Sequence, residues 1–278
     1  MLSPVWLEVA LNGAAGRALQ PGIPIERNEI IEEAIACVEA GAAIVHLHAY
    51  RDGEPLEDAD IYGSIIEGIK KHCDAIVYPT LALTGDLEQR LAPLKELAQA
   101  GMLEWTVVDP GSVNISLQMQ IDAGLSGIHY SNPDDHIKAG LELALEYNCR
   151  PAYAIYEPGF VRLGAGFAQA FPGLKQPVYR LMFSNNLLFG CEPKSYALDF
   201  YAQHLNDHAN AAPWMISGLD ADISGIAEQA IALGAHLRVG LEDAPFNSSQ
   251  SNLQLVQQAV QLIDGSERSL ATAMEIRA

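Results

Sequence analysis

The chain has 278 residues, 49% of them hydrophobic, enough to bury one large core without a second domain. Its 16 Lys and Arg against 35 Asp and Glu give a formal net charge of −19, which argues against nucleic-acid and anionic-membrane partners and leaves any anionic substrate in need of local basic groups. Sparse cysteines with no CxxC, a Met1–Gly13 segment without a basic flank, and no apolar run of membrane-spanning length point to a reduced, cytoplasmic protein with no secretory signal.

Short apolar runs alternate with longer stretches in which apolar residues recur every three or four positions. A first strand is predicted over Trp6–Leu11, ending on Asn12-Gly13, with a helix over Glu29–Ala40. The second strand, Ala43–Ala49, carries His46 and His48 on one face, because a strand sends every second side chain the same way. Helix Ile61–Lys71, strand Ala75–Leu81, helix Leu87–Ala98 and strand Glu104–Asp109 continue the alternation. Asn114–Asp135 exceeds a minimal loop and forms an elaboration after the fourth strand. Helix Ile137–Tyr147, strands Pro151–Tyr156 and Tyr179–Ser184, and helix Tyr196–His204 come next. Strand Trp214–Ser217, helix Ile223–Leu233, strand Leu237–Leu241 and helix Leu253–Ile263 complete the series. Eight such units predict an α/β fold, a (β/α)8 TIM barrel whose parallel sheet closes within one domain, residues 1–278. A doubly wound open sheet is the alternative, although no glycine-rich dinucleotide fingerprint follows the first strand.

Barrel chemistry sits at the C-terminal ends of the strands. Here those ends carry Asn12, His46 with His48, Thr80, Asp109, Tyr156-Glu157, Ser184-Asn185, Ser217-Gly218 and Glu242-Asp243. Helix caps would account for one or two of them; eight on one rim predict a polar active-site mouth. Two adjacent imidazoles point to a divalent metal, which needs at least one further ligand. Strand eight closes beside strand one, so Glu242 lies one strand away from the histidines, across the small tip Asn12-Gly13-Ala14-Ala15. Two imidazoles and a carboxylate with an open position match catalytic zinc; imidazole disfavours magnesium, and manganese and iron stay open.

Arg238 points inward below Glu242 and requires an anion, either Asp243 or a substrate carboxylate. Thr80 is a hydrogen-bond donor or a turn hydroxyl. Glu157 braces a metal ligand or caps a helix. Arg17 and Arg51, on the first two βα loops, are anchors for anionic groups or ordinary surface arginines. Together with Asn12, Ser184 and Asn185, the residues Glu157, Arg17 and Arg51 form the candidate substrate-binding set.

These landmarks resemble the β-keto acid cleavage enzymes, a family that includes 3-keto-5-aminohexanoate cleavage enzyme. The resemblance spans nearly the whole chain. It rests on Ala10-Leu11-Asn12-Gly13-Ala14, on Glu39-Ala40-Gly41-Ala42 leading into His46-Leu47-His48, and on Arg90-Leu91-Ala92-Pro93-Leu94. Gly111-Ser112-Val113-Asn114, Tyr156-Glu157-Pro158-Gly159 and Arg238-Val239-Gly240-Leu241-Glu242-Asp243 complete it. It implies a (β/α)8 barrel, commonly tetrameric, that binds zinc through His46, His48 and Glu242. It further implies condensation of a β-keto acid with acetyl-CoA to give acetoacetate and a new acyl-CoA. Asp243 would then remove the substrate's α-proton, Arg238 would orient Asp243, and Thr80 stands where the family often carries serine. The chemistry suits the residues: a β-keto acid can chelate a metal through its ketone and carboxylate, and a nearby carboxylate can accept the proton.

Two departures stand out. The member acting on an amino-substituted acid has a glutamate where this chain has Ala15, so a neutral or anionic substrate tail is expected. The loop Ser217-Gly218-Leu219-Asp220-Ala221-Asp222 is acidic where barrels commonly bind phosphate. CoA phosphates then stay in solvent or use another loop, such as the one carrying Lys194, or the acyl acceptor binds differently. A metal-dependent aldolase or hydrolase acting on an oxo acid without CoA is the rival enzyme reading. A binding barrel without catalysis is a third, disfavoured because pure binding needs no base at Asp243.

Overall fold

In the computed structural model, which describes residues 3–278, all eight predicted strands are present. They are β1 (Leu7–Ala10), β2 (Ile44–Leu47), β3 (Ile76–Pro79), β4 (Trp105–Val107), β5 (Arg150–Ile155), β6 (Val178–Phe183), β7 (Trp214–Gly218) and β8 (His236–Val239). Their ladders are all parallel and run in the order β3–β2–β1–β8–β7–β6–β5–β4. The first strand therefore pairs with the last: Leu7 with Leu237, Glu8 with Arg238 and Val9 with Val239. That pairing closes a barrel and excludes the doubly wound sheet. β3 and β4 lie side by side without a ladder among the described residues, so the ring is nearly closed.

Helices Arg27–Glu39, Ala59–Lys70, Leu87–Gln99, Asp134–Glu146, Ser195–His208, Ser224–Ala232 and Asn252–Asp264 match the predicted stretches to within a few residues. Side chains fix several starts: Asp58, Asp86 and Ser251 accept the N–H of Ile61, Gln89 and Gln254. Besides the short helices Gly16–Leu19, Gln118–Asp122 and Ala273–Arg277, one long helix, Gly159–Ala170, lies outside the predicted set. Gly159, Gly164 and Gly166 lower its intrinsic propensity, and tertiary packing of Phe160, Val161 and Ala165 makes up the deficit. The elaboration after β4 is an antiparallel ribbon, Val113–Ile115 with Ile128–Tyr130, around a short helix Gln118–Asp122. Tyr130 Oη donates to Asp109 Oδ2 at 2.7 Å and ties the ribbon to the end of β4.

Inward-facing side chains stack in layers, as barrels require. The floor is aromatic: Trp6 stacks flat on His236, ring centroids 4.2 Å apart, and leans on Trp105. The next layer is polar and buried, with Glu8, Tyr78, Arg180 and Arg238. Above it lies the rim. The four cysteines are free thiols, and no described helix is long and apolar enough to cross a membrane.

Candidate active site

The alternation along β2 turns both His46 and His48 into the mouth of the barrel. β8 ends at Val239, and Gly240, at φ +143°, carries the chain across β1; a Cβ there would sit 2.1 Å from the Ala10 carbonyl oxygen. Glu242 then reaches the histidines, with Oε2 3.6 Å from His46 Nε2 and Oε1 3.4 Å from His48 Nε2. One donor atom from each residue falls within 4.8 Å of the others, the one such cluster of potential metal ligands among the described residues. His46 Nδ1, His48 Nδ1 and Nε2, and Glu242 Oε2 are buried with no hydrogen-bond partner among the described residues. Buried polar atoms are ordinarily paired; with His48 Nε2 and Glu242 Oε2 unpartnered and His46 Nε2 facing the same carboxylate, the three residues fit a divalent cation held by two nitrogens and one oxygen.

Burial pushes the His46 imidazole down to about 4, against the pull of Glu242, so it is neutral at pH 7 and keeps a lone pair for a metal. Glu242 lies well below the usual carboxylate range: burial opposes its ionisation, and His46, Arg238 and His48 together outweigh burial. With His46 neutral above about pH 4, the permanently charged Arg238 sustains that effect at neutral pH.

Arg238 organises the neighbouring acid. Its Nε and Nη2 donate to Asp243 Oδ2 and Oδ1, both at 2.8 Å, a bidentate pair. Ser217 Oγ also donates to Asp243 Oδ2, at 2.7 Å. Burial raises the Asp243 carboxyl to about 6 despite Arg238, and the charge of Glu242 adds to the rise. Below, Arg238 Nη1 donates to Glu8 Oε1 at 3.0 Å, and Tyr78 Oη donates to the same oxygen at 2.7 Å. Arg180 Nη1 donates to Tyr78 Oη at 3.2 Å, and Arg180 Nη2 lies 3.6 Å from Asp109 Oδ1. The linked cluster thus holds four carboxylates, Glu8, Asp109, Glu242 and Asp243, against two guanidiniums, Arg180 and Arg238. With all ionised, two negative charges remain uncompensated, and one divalent cation balances them.

The family model for beta-keto acid cleavage enzymes matches residues 4–278. The chain belongs to this family. It is 28% identical to the 3-oxoadipate:acetyl-CoA acetyltransferase of Cupriavidus necator, over 100% of this chain and 95% of that one. It is 25% identical to the 3-keto-5-aminohexanoate cleavage enzyme of Fusobacterium nucleatum, over 100% and 97%. Among solved structures, a binary complex of ObcA with oxaloacetate superposes with a TM-score of 0.70 at 17% identity, over 92% of this chain. The chain spans 66% of that protein's length, and at this identity the likeness supports the fold alone.

In this β-keto acid cleavage enzyme the remaining candidates fall into distinct places. Asn12 is buried and spent on backbone: Oδ1 accepts His48 N–H, and Nδ2 donates to the carbonyls of Pro24 and His48. It holds His48 in place. Arg17 pairs with Glu29 at 2.7 Å and Arg51 with Asp58 at 2.9 Å, both at exposed positions. Glu157 Oε1 accepts Gly190 N–H and Ser184 Oγ accepts Leu187 N–H, so both brace the loop after β6, on which Asn185 is exposed. Thr80 is half-buried after β3, its hydroxyl 3.5 Å from the nearest carbonyl.

The acidic loop after β7 reads differently in three dimensions. Asp220 is buried, accepting from Asn186 Nδ2 and Phe246 N–H, and so ties three loops together. Asp222 accepts Ser224 N–H at the following helix. Both aspartates therefore serve the loop's own hydrogen bonds, and neither gains a cationic partner among the described residues.

Sequence reasoning missed Glu8, Tyr78 and Arg180, and it placed Ser217 on the rim without seeing its bond to Asp243. The signal for Glu8 was a carboxylate on the inward face of β1, in register with an arginine already known to need an anion.

Proposed function

We propose that this enzyme is zinc-dependent and exchanges acyl groups between a β-keto acid and acetyl-CoA, releasing acetoacetate and a new acyl-CoA. The observation that carries the reading is the buried meeting of His46, His48 and Glu242 beside the Arg238–Asp243 pair. The relatives named for acetyl-CoA-dependent transfer support acetyl-CoA as co-substrate.

His46, His48 and Glu242 would hold the zinc, whose affinity for imidazole exceeds that of magnesium. When bound, the ion lends Lewis acidity to a chelating ketone and carboxylate, worth several kcal/mol. Asp243 accepts the substrate's α-proton at a carboxylate oxygen. Arg238 fixes that carboxylate in one plane, and Ser217 pins Oδ2. Thr80 offers a hydroxyl without a close partner. Glu157, Ser184 and Asn185 shape the rim on the β6 side, with Asn12 acting through His48. Ala15 gives a substrate amine no carboxylate, which favours a neutral or anionic tail.

The enzyme works as one barrel domain in a cytoplasmic homotetramer. Four free thiols accord with a reducing compartment. The apolar surface of Met119, Ile121, Leu125 and Ile128 accords with subunit contact, and the mass of the native particle tests it.

Purified protein should contain about one zinc per chain and release acetoacetate from a panel of β-keto acids with acetyl-CoA. A zinc-loaded protein inert across the panel would sink the reading. The pairing of Arg17 and Arg51 with their own carboxylates gives the CoA-independent aldolase or hydrolase reading its one foothold. Turnover of a keto acid without any thioester would establish that alternative.

A further inference from the structure

The Arg238 guanidinium is contested. Its Nη2 lies 2.8 Å from Asp243 Oδ1 and 3.1 Å from Glu242 Oε1. Those two carboxylates have opposite tasks in the proposed function: Glu242 holds the ion, and Asp243 must face the substrate. A guanidinium that slides toward Glu242 competes for a metal ligand and releases Asp243 from its bidentate grip. Something must hold it from the other side.

Glu8 meets that need. It is the direct cross-strand neighbour of Arg238, β1 against β8. Its Oε1 takes Arg238 Nη1 at 3.0 Å, on the nitrogen not shared by Glu242 and Asp243. Both side chains are buried, Glu8 at 0% and Arg238 at 2% exposure, so the pair is screened little by solvent and neither group has an exit to water. Glu8 is itself fixed: Tyr78 Oη donates to the same Oε1, and Arg180 Nη1 donates to that hydroxyl. The opposite oxygen, Glu8 Oε2, has no partner among the described residues.

We propose that Glu8 is a positioning residue for the cleavage reaction, holding Arg238 in the plane that grips Asp243, with Tyr78 and Arg180 locking Glu8 from below. It touches neither substrate nor ion. The role rests on the proposed function in that Asp243 must be the base for turnover to report it.

The orphaned Oε2 makes the test clean. In Glu8→Gln the amide oxygen keeps both hydrogen bonds of Oε1, and the amide nitrogen replaces an oxygen that bonds nothing. Glu8→Leu removes both bonds at similar volume, and Tyr78→Phe removes only the lock. Each full-length, metal-loaded variant is assayed for zinc content, kcat and KM, and its crystal structure is determined. In Glu8→Leu, Arg238 should leave the bidentate position on Asp243 and kcat should fall about 100-fold, with KM changed by less than about threefold. Glu8→Gln should recover kcat to within about fivefold of wild type, and Tyr78→Phe should lose about five- to tenfold.

A purely architectural role predicts something else: lower thermal stability with unchanged kcat per metal-loaded molecule. Arg238 still bidentate on Asp243 in Glu8→Leu, with kcat unchanged, overturns the proposal. Should Glu8→Leu fail to fold, an unmoved Arg238 and unmoved kcat in Tyr78→Phe overturn it, and the reverse supports it. Should the wild type turn over no keto acid, the proposed function fails, and the position of Arg238 in the variant structures alone decides the role of Glu8.

Discussion

Gly13 and Glu242 share one space: a Cβ on Gly13 would lie 2.6 Å from Glu242 Cγ. Gly13 also sits at φ +65°, where other residues are strained. The carboxylate thus reaches the two imidazoles only because the tip of β1 has no side chain. Gly13→Ala should displace Glu242 and cost about 1–3 kcal/mol of stability. Zinc content after dialysis, read beside the melting temperature, checks it. Full zinc retention by a stable Gly13→Ala protein would show that Glu242 does not need this gap.

Ion removal should destabilise the fold, because an ion that binds only the native state contributes through mass action. With a free ion at about a thousand times its dissociation constant, that contribution is on the order of 4 kcal/mol. A chelator should then lower the melting temperature by on the order of 5–10 °C, and restored zinc should reverse the loss. His46→Ala, His48→Ala and Glu242→Gln should each melt near the chelated wild type and ignore added zinc. A variant that still responds to zinc would remove its residue from the ligand set.

Asp243 and Glu242 are neighbours in sequence with different expected losses. Asp243→Asn should keep the zinc while kcat drops about 10²- to 10⁴-fold, the range for removing a general base. Ser217→Ala loses one charge-assisted hydrogen bond to Asp243 Oδ2, worth about 1.5–3 kcal/mol, and should lower kcat about tenfold or more. Single-turnover acetoacetate release beside zinc analysis separates the two effects. Loss of zinc in Asp243→Asn would mean that this carboxylate belongs to the ion instead.

The rim was legible in the sequence because it obeys one rule, period-two alternation at a strand end, which identified His46 with His48. Barrel closure then brought Glu242 to them without any local signal, through the β1–β8 pairing. What alternation could not reveal is whether an inward polar residue faces a ligand or another side chain. Asn12 occupies a rim position but bonds the His48 backbone. Arg17 and Arg51 sit on the expected loops yet pair with Glu29 and Asp58, contacts set by loop geometry. Glu8 and Arg180 lie in a layer where barrels ordinarily place apolar side chains, below the rim on which strand-end residues draw the eye, and for Glu8 only the β1–β8 register with Arg238 marks its role. Helix Gly159–Ala170 escaped notice for a related reason: packing, not propensity, holds it.

The floor of the barrel carries a pH dependence of its own. Burial lowers the His236 imidazole from 6.5 to about 3, with Arg268 adding to the shift. Its Nδ1 accepts Trp6 N–H at 3.0 Å, and its ring lies flat on Trp6, so the fold holds the neutral form. Between pH 6.5 and about 3 the unfolded chain binds a proton that the folded chain refuses. Stability is therefore fullest above pH 6.5 and falls as pH drops, at up to about 1.4 kcal/mol per unit from this group. His236→Asn supplies an oxygen where Nδ1 stood and does not titrate. Comparing urea unfolding of wild type and variant at pH 7 and pH 5 cancels the other groups, His46 included. The variant should start less stable at pH 7, having lost the stacked ring, and lose less on acidification by up to one proton's worth of slope. Parallel losses in the two proteins would mean that His236 is protonated within the fold, against its burial beside Trp6.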